Sequence, residues 1–253
     1  MPASDLALLR DAAHAAGAEA LRFWRRDPAV RDKGGDLGPV SEADLAANAV
    51  LEARLRDDRP GYAWLSEESP DDPASRVSGP AWIVDPLDGT RAFLKGEADW
   101  AVAAAMVVDG VPEAAVVHLP ARGLTYAALR GAGATLDDAP IRARAIPADP
   151  PAVLTTKANL RPEDWPDGLP EVRTAFRPSL AWRLCLVAEG RFDAMLTLRD
   201  SWYWDIAAGA LIAAEAGAVV TDRDGAPLRF DGWTPKTAGC VATGGIPHEA
   251  LIP

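Results

Sequence analysis

Apolar residues near the start of the chain recur at helical spacing, which predicts an amphipathic helix from Ser4 to about Arg26 with Ser4 as its N-cap. Residues 33–39 are rich in glycine, proline and polar groups, and we expect a mobile loop that closes over a site. A second helix is predicted after Ser41, which can cap its first turn. Asp44 then lies near the positive end of the helix dipole, where an acid is ordinary on structural grounds alone.

Short apolar runs separated by turns predict a sheet in the middle of the chain. Tyr62 to Leu65 and Trp82 to Val84 have the composition of buried strands, and each ends in a cluster of acidic and hydroxyl side chains. Further strands are predicted at 99–108, 113–118, 124–128 and 131–136. This order favours helices that cover an antiparallel or mixed sheet.

A proline-rich stretch, Ile146 to Pro151, marks the predicted boundary between an N-terminal α+β lobe, 1–146, and a C-terminal α/β lobe, 147–253. In the second lobe the pattern predicts strands at 152–156, 192–196 and 218–221, and helices at 181–189 and 204–217. The last helix contains almost only small or apolar residues, so it must be buried. Asp205, at its N-terminal end, is the acid there that can point out of that packing.

Composition narrows the functional classes. The formal net charge of −11 argues against nucleic acid polymers as partners, because they require clustered positive charge. The N-terminus has no basic segment followed by an apolar core, and no uncharged apolar segment reaches the roughly 20 residues needed to cross a bilayer. We therefore expect neither a signal peptide nor membrane insertion. Two cysteines, Cys185 and Cys240, indicate a reducing cytoplasm, and the three histidines lack zinc-site spacing.

The strand from Trp82 to Val84 runs directly into an acidic turn, Asp85-Pro86-Leu87-Asp88-Gly89-Thr90. Three of its six side chains carry oxygen atoms, and hard oxygen ligands at this density suit Mg²⁺ better than zinc or copper. Glu67 follows the preceding strand, and ligands gather at the carboxyl ends of strands in open α/β sheets. Taken alone, this motif is equally compatible with an ordinary acidic turn.

Four segments, in the same order, resemble the signature motifs of the inositol monophosphatase superfamily of Mg²⁺-dependent, lithium-sensitive phosphatases: 40–44, 65–69, 82–93 and 204–217. Four motifs that span nearly the whole chain are far more specific than any one of them. The resemblance implies an α/β fold of the α+β type, a layered αβαβα sandwich, and a metal-dependent phosphoric monoester hydrolase. It also implies a small phosphorylated substrate, and it is compatible with a homodimer, since family members vary in oligomeric state.

The resemblance assigns metal ligands to individual residues. Glu67, Asp85 and the carbonyl oxygen of Leu87 are implied ligands of one Mg²⁺. Asp85, Asp88 and Asp205 are implied ligands of a second. A third, more weakly bound Mg²⁺ would share Glu67. Four carboxylates from separate segments would repel one another without cations, so bound Mg²⁺ makes their convergence tolerable.

The resemblance also implies catalytic and substrate-binding roles. Asp44 and Thr90 would orient the attacking water, in a catalytic set that includes Glu67. The substrate phosphate would rest on the backbone N–H groups of Gly89 and Thr90, with Asp205 as a further substrate-binding residue.

A second phosphatase class, the haloacid dehalogenase enzymes, also places Asp, Gly and Thr at an acidic strand end. In those enzymes one residue separates the two aspartates, and the first aspartate becomes phosphorylated. Here Pro86 and Leu87 both stand between Asp85 and Asp88. This spacing favours direct attack by water over a covalent intermediate.

Two segments are most similar to bacterial 3'(2'),5'-bisphosphate nucleotidases, which remove the 3'-phosphate of adenosine 3',5'-bisphosphate: 88–96 and 184–190. Inositol monophosphatases share the metal ligands and remain the alternative, followed by a non-catalytic protein that binds phosphate ligands. One feature departs from the nucleotidases, whose helix before the second segment usually begins with paired serines and a lysine. This chain has Leu180, Ala181 and Arg183 at those positions.

A substrate with a second phosphate needs positive charge away from the metal ligands. The candidate residues are Lys95, Arg183 and Arg199, of which Arg183 is the most interesting because it lies at the start of a buried helix. Lys95 fits an ordinary surface lysine better. The aromatic residues 202–204 are candidates for stacking on a nucleobase, although such clusters also occur in cores.

Overall fold

Helices and strands alternate along the chain, for which a computed structural model describes residues 2–34, 38–166 and 168–253. The α-helices of this part, α1 to α6, are Pro2–Leu21, Glu42–Asp58, Pro73–Arg76, Thr90–Leu94, Leu180–Ala188 and Tyr203–Glu215. The strands β1 to β9 are Val30–Asp32, Pro39–Ser41, Ala63–Ser66, Pro80–Asp88, Ala101–Val108, Val111–Leu119, Leu124–Leu129, Gly133–Leu136 and Ala139–Ile141. The strands β10 to β16 are Ala152–Leu154, Arg173–Ala175, Ala194–Thr197, Ser201–Trp202, Val219–Thr221, Lys236–Thr237 and Cys240–Thr243.

Strands β3 to β9 form a mixed seven-stranded sheet in chain order. Strands β3 and β4 are parallel, and each later pair is antiparallel. Alternate residues of β5 belong to different cores: Ala103 and Ala105 pack on one face of the sheet, and Val102 and Ala104 on the other. Because both faces are buried, the strand is apolar throughout instead of alternating with polar residues.

The elements stack in layers. Helices α1 and α2 cover one face of the seven-stranded sheet, and α5 and α6 cover the other. A second sheet, in the order β11, β10, β12, β16, β14, packs on the far side of α5 and α6. Beyond it lie two 3₁₀ turns, Pro162–Asp164 and His248–Leu251, where Trp165 and Leu251 are buried against the strands. The layered αβαβα sandwich is thus confirmed, with short turns in its last helical layer.

The two central helices approach each other closely because α6 carries Gly209. A Cβ atom at this position would lie 2.7 Å from Leu184 Cβ and 2.9 Å from the carbonyl oxygen of Ala181. All of α5 and most of α6 are buried, which confirms the burial predicted for 204–217.

Several predicted ends differ from the observed ones. Helix α1 begins at Pro2, so the prediction of Ser4 as its N-cap was wrong. It ends at Leu21 instead of about Arg26, and a turn follows in which Arg25 has a φ of +60°. The strand predicted at 192–196 is observed at Ala194–Thr197. Of the predicted mobile loop, 35–37 lie outside the described residues.

No α-helix in the described part of the chain is long and apolar enough to cross a bilayer. The division into lobes at residue 146 stays a prediction.

Candidate active site

Two parallel strands deliver acidic side chains to the same edge of the seven-stranded sheet. Ser66, at the end of β3, pairs with β4 immediately before Asp85, so Glu67 and Asp85 leave the sheet at neighbouring positions. The pairing of β4 with β5 is irregular between Asp85 and Asp88. Within this stretch, Asp85 Oδ1 accepts a hydrogen bond of 2.9 Å from Leu87 N. The irregular end of β4 therefore turns its acids toward one place.

Gly89 allows the chain to pass from β4 into α4. Its φ is +101°, and a Cβ atom here would lie 3.1 Å from the carbonyl oxygen of Asp99 and 3.4 Å from Trp100 Cα. A larger residue would meet both backbone strain and backbone atoms. Within the described residues, the backbone N–H groups of Gly89 and Thr90 donate to no protein acceptor, so they are available to an anion.

Asp44 has a structural role and a role in the site. Its Oδ2 accepts from Ser41 N at 2.8 Å and from Ser41 Oγ at 2.5 Å, while Ser41 Oγ accepts from Ala43 N at the start of α2. Its Oδ1 accepts a hydrogen bond of 3.0 Å from Thr90 Oγ1, which also lies 3.1 Å from Leu87 O. Burial raises the pKa of Asp44, and the hydrogen bonds from Ser41 and Thr90 oppose that shift.

Three carboxylates from two elements meet at the site. Asp85 and Asp88 come from β4 and Asp205 from the first turn of α6, and one oxygen of each lies within 4.8 Å of the others. Burial raises the pKa of Asp85, and repulsion from Glu67, Asp88 and Asp205 adds to the shift. Burial and the same kind of repulsion raise the pKa of Asp205. A bound divalent cation would offset this repulsion between the carboxylates. A donor set made only of oxygen atoms suits Mg²⁺.

Glu67 lines the same recess but pairs with Lys33. Lys33 Nζ lies 2.6 Å from Glu67 Oε1 and 2.8 Å from Glu68 Oε1. Burial raises the pKa of Glu67 to about 7, although the charge of Lys33 opposes the shift. Among the residues that the structure describes, the group within 4.8 Å contains the three aspartates and not Glu67. The ammonium of Lys33 therefore supplies the positive charge beside Glu67.

The first turn of α5 holds Asp88. Ser179 Oγ donates to Asp88 Oδ2 at 2.6 Å, Ala181 N donates to the same oxygen at 2.8 Å, and Leu180 N donates to Oδ1 at 3.2 Å. Ser179 Oγ also accepts from Trp182 N, so the N-cap of α5 is bound to Asp88. Burial raises the pKa of Asp88, and these hydrogen bonds oppose the shift because they stabilise the ionised form.

A recess of about 640 Å³ opens beside these groups. All of the site residues predicted from the sequence line it except Asp44, which contacts the lining residue Thr90. The predicted residues in its wall are Glu67, Asp85, Leu87, Asp88, Gly89, Thr90, Arg183 and Asp205. The elements thus bring together residues that are distant along the chain.

Arg183 is buried at the wall of this recess. Its Nε donates to Arg177 O at 2.5 Å, and its guanidinium lies 4.5 Å from the ring centroid of Phe176. Burial lowers the pKa of Arg183 to about 10, with Asp88 opposing the shift and Arg199 adding to it. Arg183 therefore stays charged at neutral pH and directs its charge toward the site.

The aromatic residues at 202–204 are used in packing. Trp202 and Trp204 stack with ring centroids 4.8 Å apart and planes 8° from parallel. Lys236 Nζ lies 4.0 Å from the centroid of Trp202. Tyr203 is buried, with its hydroxyl hydrogen-bonded to the backbone. Trp202 and Trp204 also line the recess, together with Phe176, which is 53% exposed.

A family model described as the inositol monophosphatase family matches residues 2–253. This chain belongs to the inositol monophosphatase family. It resembles the Thermotoga maritima IMPase with a TM-score of 0.83 and 26% identity, over 100% of this chain and 96% of that one.

Three curated relatives of this chain have names that describe different activities. A Streptomyces griseus protein named glucose-1-phosphate thymidylyltransferase is 37% identical over 95% of this chain and 94% of its own length. A 3'-phosphoadenosine 5'-phosphate phosphatase from Mycobacterium leprae is 36% identical, with coverages of 94% and 90%. A histidinol-phosphatase from Mycobacterium tuberculosis is 32% identical, with coverages of 92% and 90%.

The family and the phosphatases among its relatives show that this protein is a metal-dependent phosphomonoesterase. Members of the inositol monophosphatase family depend on Mg²⁺, and Asp85, Asp88 and Asp205 form a group that can hold such an ion. The relatives' names differ in substrate, so they leave the phosphate ester of this family member open.

Two residues at the site, Lys33 and Ser179, were not predicted from the sequence. Nothing in the sequence pattern pairs Lys33 with Glu67, which lies 34 positions later. Ser179 carries a usable signal, because it is a good N-cap residue directly before Leu180, close to where nucleotidases have paired serines. The hydroxyl group absent at Leu180 and Ala181 is thus present one position earlier, where it binds Asp88.

Proposed function

We propose that this protein hydrolyses the 3'-phosphate of adenosine 3',5'-bisphosphate, giving AMP and phosphate, with two to three Mg²⁺ ions at the recess. The convergence of Asp85, Asp88 and Asp205 within 4.8 Å is the observation that supports this chemistry. The choice of substrate is supported by the resemblance of 88–96 and 184–190 to nucleotidases and by the similarity to the Mycobacterium leprae phosphatase.

Five residues would hold the ions. Glu67, Asp85 and the carbonyl oxygen of Leu87 would bind one, and Asp85, Asp88 and Asp205 would bind another. Bound Mg²⁺ supplies a water of lowered pKa and neutralises charge on the phosphate and the leaving oxygen. Because Asp85 belongs to both sets, its loss should disrupt both.

Protein groups would position the reactants around these ions. Asp44 accepts the hydrogen bond of Thr90 Oγ1, which holds that hydroxyl where it can orient the attacking water. The backbone N–H groups of Gly89 and Thr90 would bind the phosphate oxygens. Direct attack by this water needs no phosphorylated residue.

Substitution of Asp85 by Asn tests the proposed metal site. We expect phosphate release to require Mg²⁺, to be inhibited by Li⁺, and to fall by ~10³-fold in kcat/KM in the variant, because the cations lose a shared ligand. Asp138→Asn is the matched control, since Asp138 is 79% exposed and outside the recess. Activity that survives in Asp85→Asn would contradict the assignment.

A panel of substrates separates the candidate functions. Relative kcat/KM for adenosine 3',5'-bisphosphate, inositol 1-phosphate and fructose 1,6-bisphosphate distinguishes the nucleotidase from an inositol-1-monophosphatase or another sugar or polyol phosphatase. Binding without turnover would instead indicate a non-catalytic protein. Cys185 and Cys240 are free and buried, which supports the proposed cytoplasmic location.

A further inference from the structure

A second recess of about 720 Å³ adjoins the first. The two share part of their walls, formed by Arg91, Phe176, Pro178, Arg183 and Arg199. The rest of the second recess is lined by residues between 156 and 166, by residues 197 and 198 at the end of β12, by Arg223 and by Pro253. The two recesses therefore form one cleft, which extends from Asp85, Asp88 and Asp205 past the exposed ring of Phe176.

The second recess is strongly basic, although the chain has a net charge of −11. Its lining arginines are Arg91, Arg161, Arg183, Arg199 and Arg223. Asp164 is the acid in this lining, as far as the structure describes it. Arg223 donates to Asp200 Oδ1 at 2.7 Å, so its charge is partly compensated. Arg161 and Arg199 are exposed, and among the described residues neither side chain makes a hydrogen bond or a salt bridge, although the charge of Arg199 acts on Asp205.

Such a group of arginines is complementary to an anion with several oxygen atoms. Guanidinium groups bind phosphate through paired hydrogen bonds, and like charges held together gain most from a shared counter-ion. A single scissile phosphate at Gly89 and Thr90 would lie in the first recess. It would leave Arg161 without a partner, because Arg161 lines only the second recess.

We infer that the second recess binds a second anionic group of the substrate, and that Arg161 and Arg199 determine this specificity. The substrate class is a phosphate monoester that carries another phosphate away from the scissile one. This inference rests on the proposed function and names the residues that would select its substrate. Arg161 lies outside the sequence motifs that resemble the family and its nucleotidases, so those motifs do not predict its role.

Two nucleotides that differ in one phosphate test the inference: adenosine 3',5'-bisphosphate and adenosine 3'-monophosphate. The wild-type enzyme should prefer the bisphosphate, and this preference should weaken as salt screens the arginines. Arg161→Gln and Arg199→Gln should each raise KM for the bisphosphate by roughly 10-fold or more, with a much smaller effect on the monophosphate. Arg173→Gln, on an exposed part of β11 outside both recesses, should keep the wild-type preference.

Binding of AMP, measured by calorimetry, gives a readout that needs no turnover, because AMP retains the 5'-phosphate. Its Kd should rise in Arg161→Gln and stay constant in Arg173→Gln. If both recess variants affect the two substrates equally, or leave AMP binding unchanged, the inference is wrong while the phosphatase proposal stands. If the wild-type protein hydrolyses neither nucleotide but still binds AMP through Arg161, the proposed function fails and the anion site remains.

Discussion

Individual hydrogen bonds connect the packing of the fold to the proposed metal ligands. An ionised carboxylate offers about four acceptor positions, and Ser179 Oγ, Leu180 N and Ala181 N use three of them on Asp88. One position remains for a cation. The direction of Asp88 is therefore fixed by α5 before any ion binds, and contacts of this kind orient metal ligands.

Replacing Ser179 by Ala should weaken Mg²⁺ binding and destabilise α5. We expect about 10-fold more Mg²⁺ to be needed for half-maximal activity. The free energy of unfolding should fall by about 1–2 kcal/mol, because the helix also loses its N-cap. Mg²⁺ titrations of activity and urea unfolding measure the two effects, and Ser179→Thr should restore most of both. A variant that loses stability but responds to Mg²⁺ like the wild type would show that the hydroxyl has only a structural role.

At the scale of elements, one buried carboxylate fixes the segment between the two sheets. Asp193, directly before β12, is fully buried. Its side chain accepts hydrogen bonds from Arg144 Nη1 at 3.0 Å, Ala148 N at 3.1 Å and Ala152 N at 2.8 Å. The proline-rich stretch that the sequence marks as a boundary is thus attached to the second sheet at both of its ends.

Asp193→Asn should therefore destabilise the protein although the two side chains have the same shape. The amide nitrogen would face a backbone N–H donor, and Arg144 would lose the negative charge that it pairs with. We therefore expect the free energy of unfolding to fall by about 2–3 kcal/mol. Asp11→Asn is the matched control, because Asp11 is 64% exposed and pairs with Arg54 on the surface, where such pairs contribute little. Urea unfolding of the three proteins measures the difference. Equal stability of the two variants would contradict this account.

Elements that depend on neighbours in sequence could be predicted, and contacts between distant residues could not. The apolar runs of β4 and β5 and the small residues of α6 are local patterns, and they gave those elements correctly within a few residues. Local pattern alone makes Asp44 an ordinary helix acid, and its bond to Thr90 depends on tertiary structure. The position of Ser179 beside Asp88 has the same origin, since 91 positions separate them.

For the proposed metal ligands, the resemblance supplied an assignment that the local pattern could not, because it carries the tertiary arrangement of a family. It gave no such help for Arg161 and Arg223, which lie outside its motifs and meet at the second recess only through folding. The sequence likewise predicts Lys33 as part of a loop, and it does not predict the hydrogen bond between Lys33 and Glu67.

Lowering the pH changes the stability of the whole molecule through buried groups whose contributions have opposite signs. Burial, with repulsion from His14 adding to it, lowers the pKa of His118 to about 4. Histidine in an unfolded chain has a pKa of about 6.5, so the unfolded state binds this proton more tightly. The contribution of neutral His118 to stability is therefore complete above pH ~6.5 and is lost as the pH falls toward 4. The raised pKa of Asp85 acts in the other direction in metal-free protein, because burial and then repulsion from neighbouring acids favour its protonated form in the folded state.

Substituting His118 by Gln should isolate this effect, because the amide removes the titrating ring but can still bond to Thr125, which lies 3.0 Å from His118 Nδ1. Free energies of unfolding in urea, measured without metal from about pH 7.5 to about pH 5, should fall more steeply for the wild type than for the variant. Since His118 is partly exposed, we expect the difference between the two proteins to change by about 1–2 kcal/mol over this range. The aspartates of the site and His248 are present in both proteins, so their titration cancels in the difference. Parallel pH profiles would mean that the folded protein holds the His118 proton as tightly as the unfolded chain does.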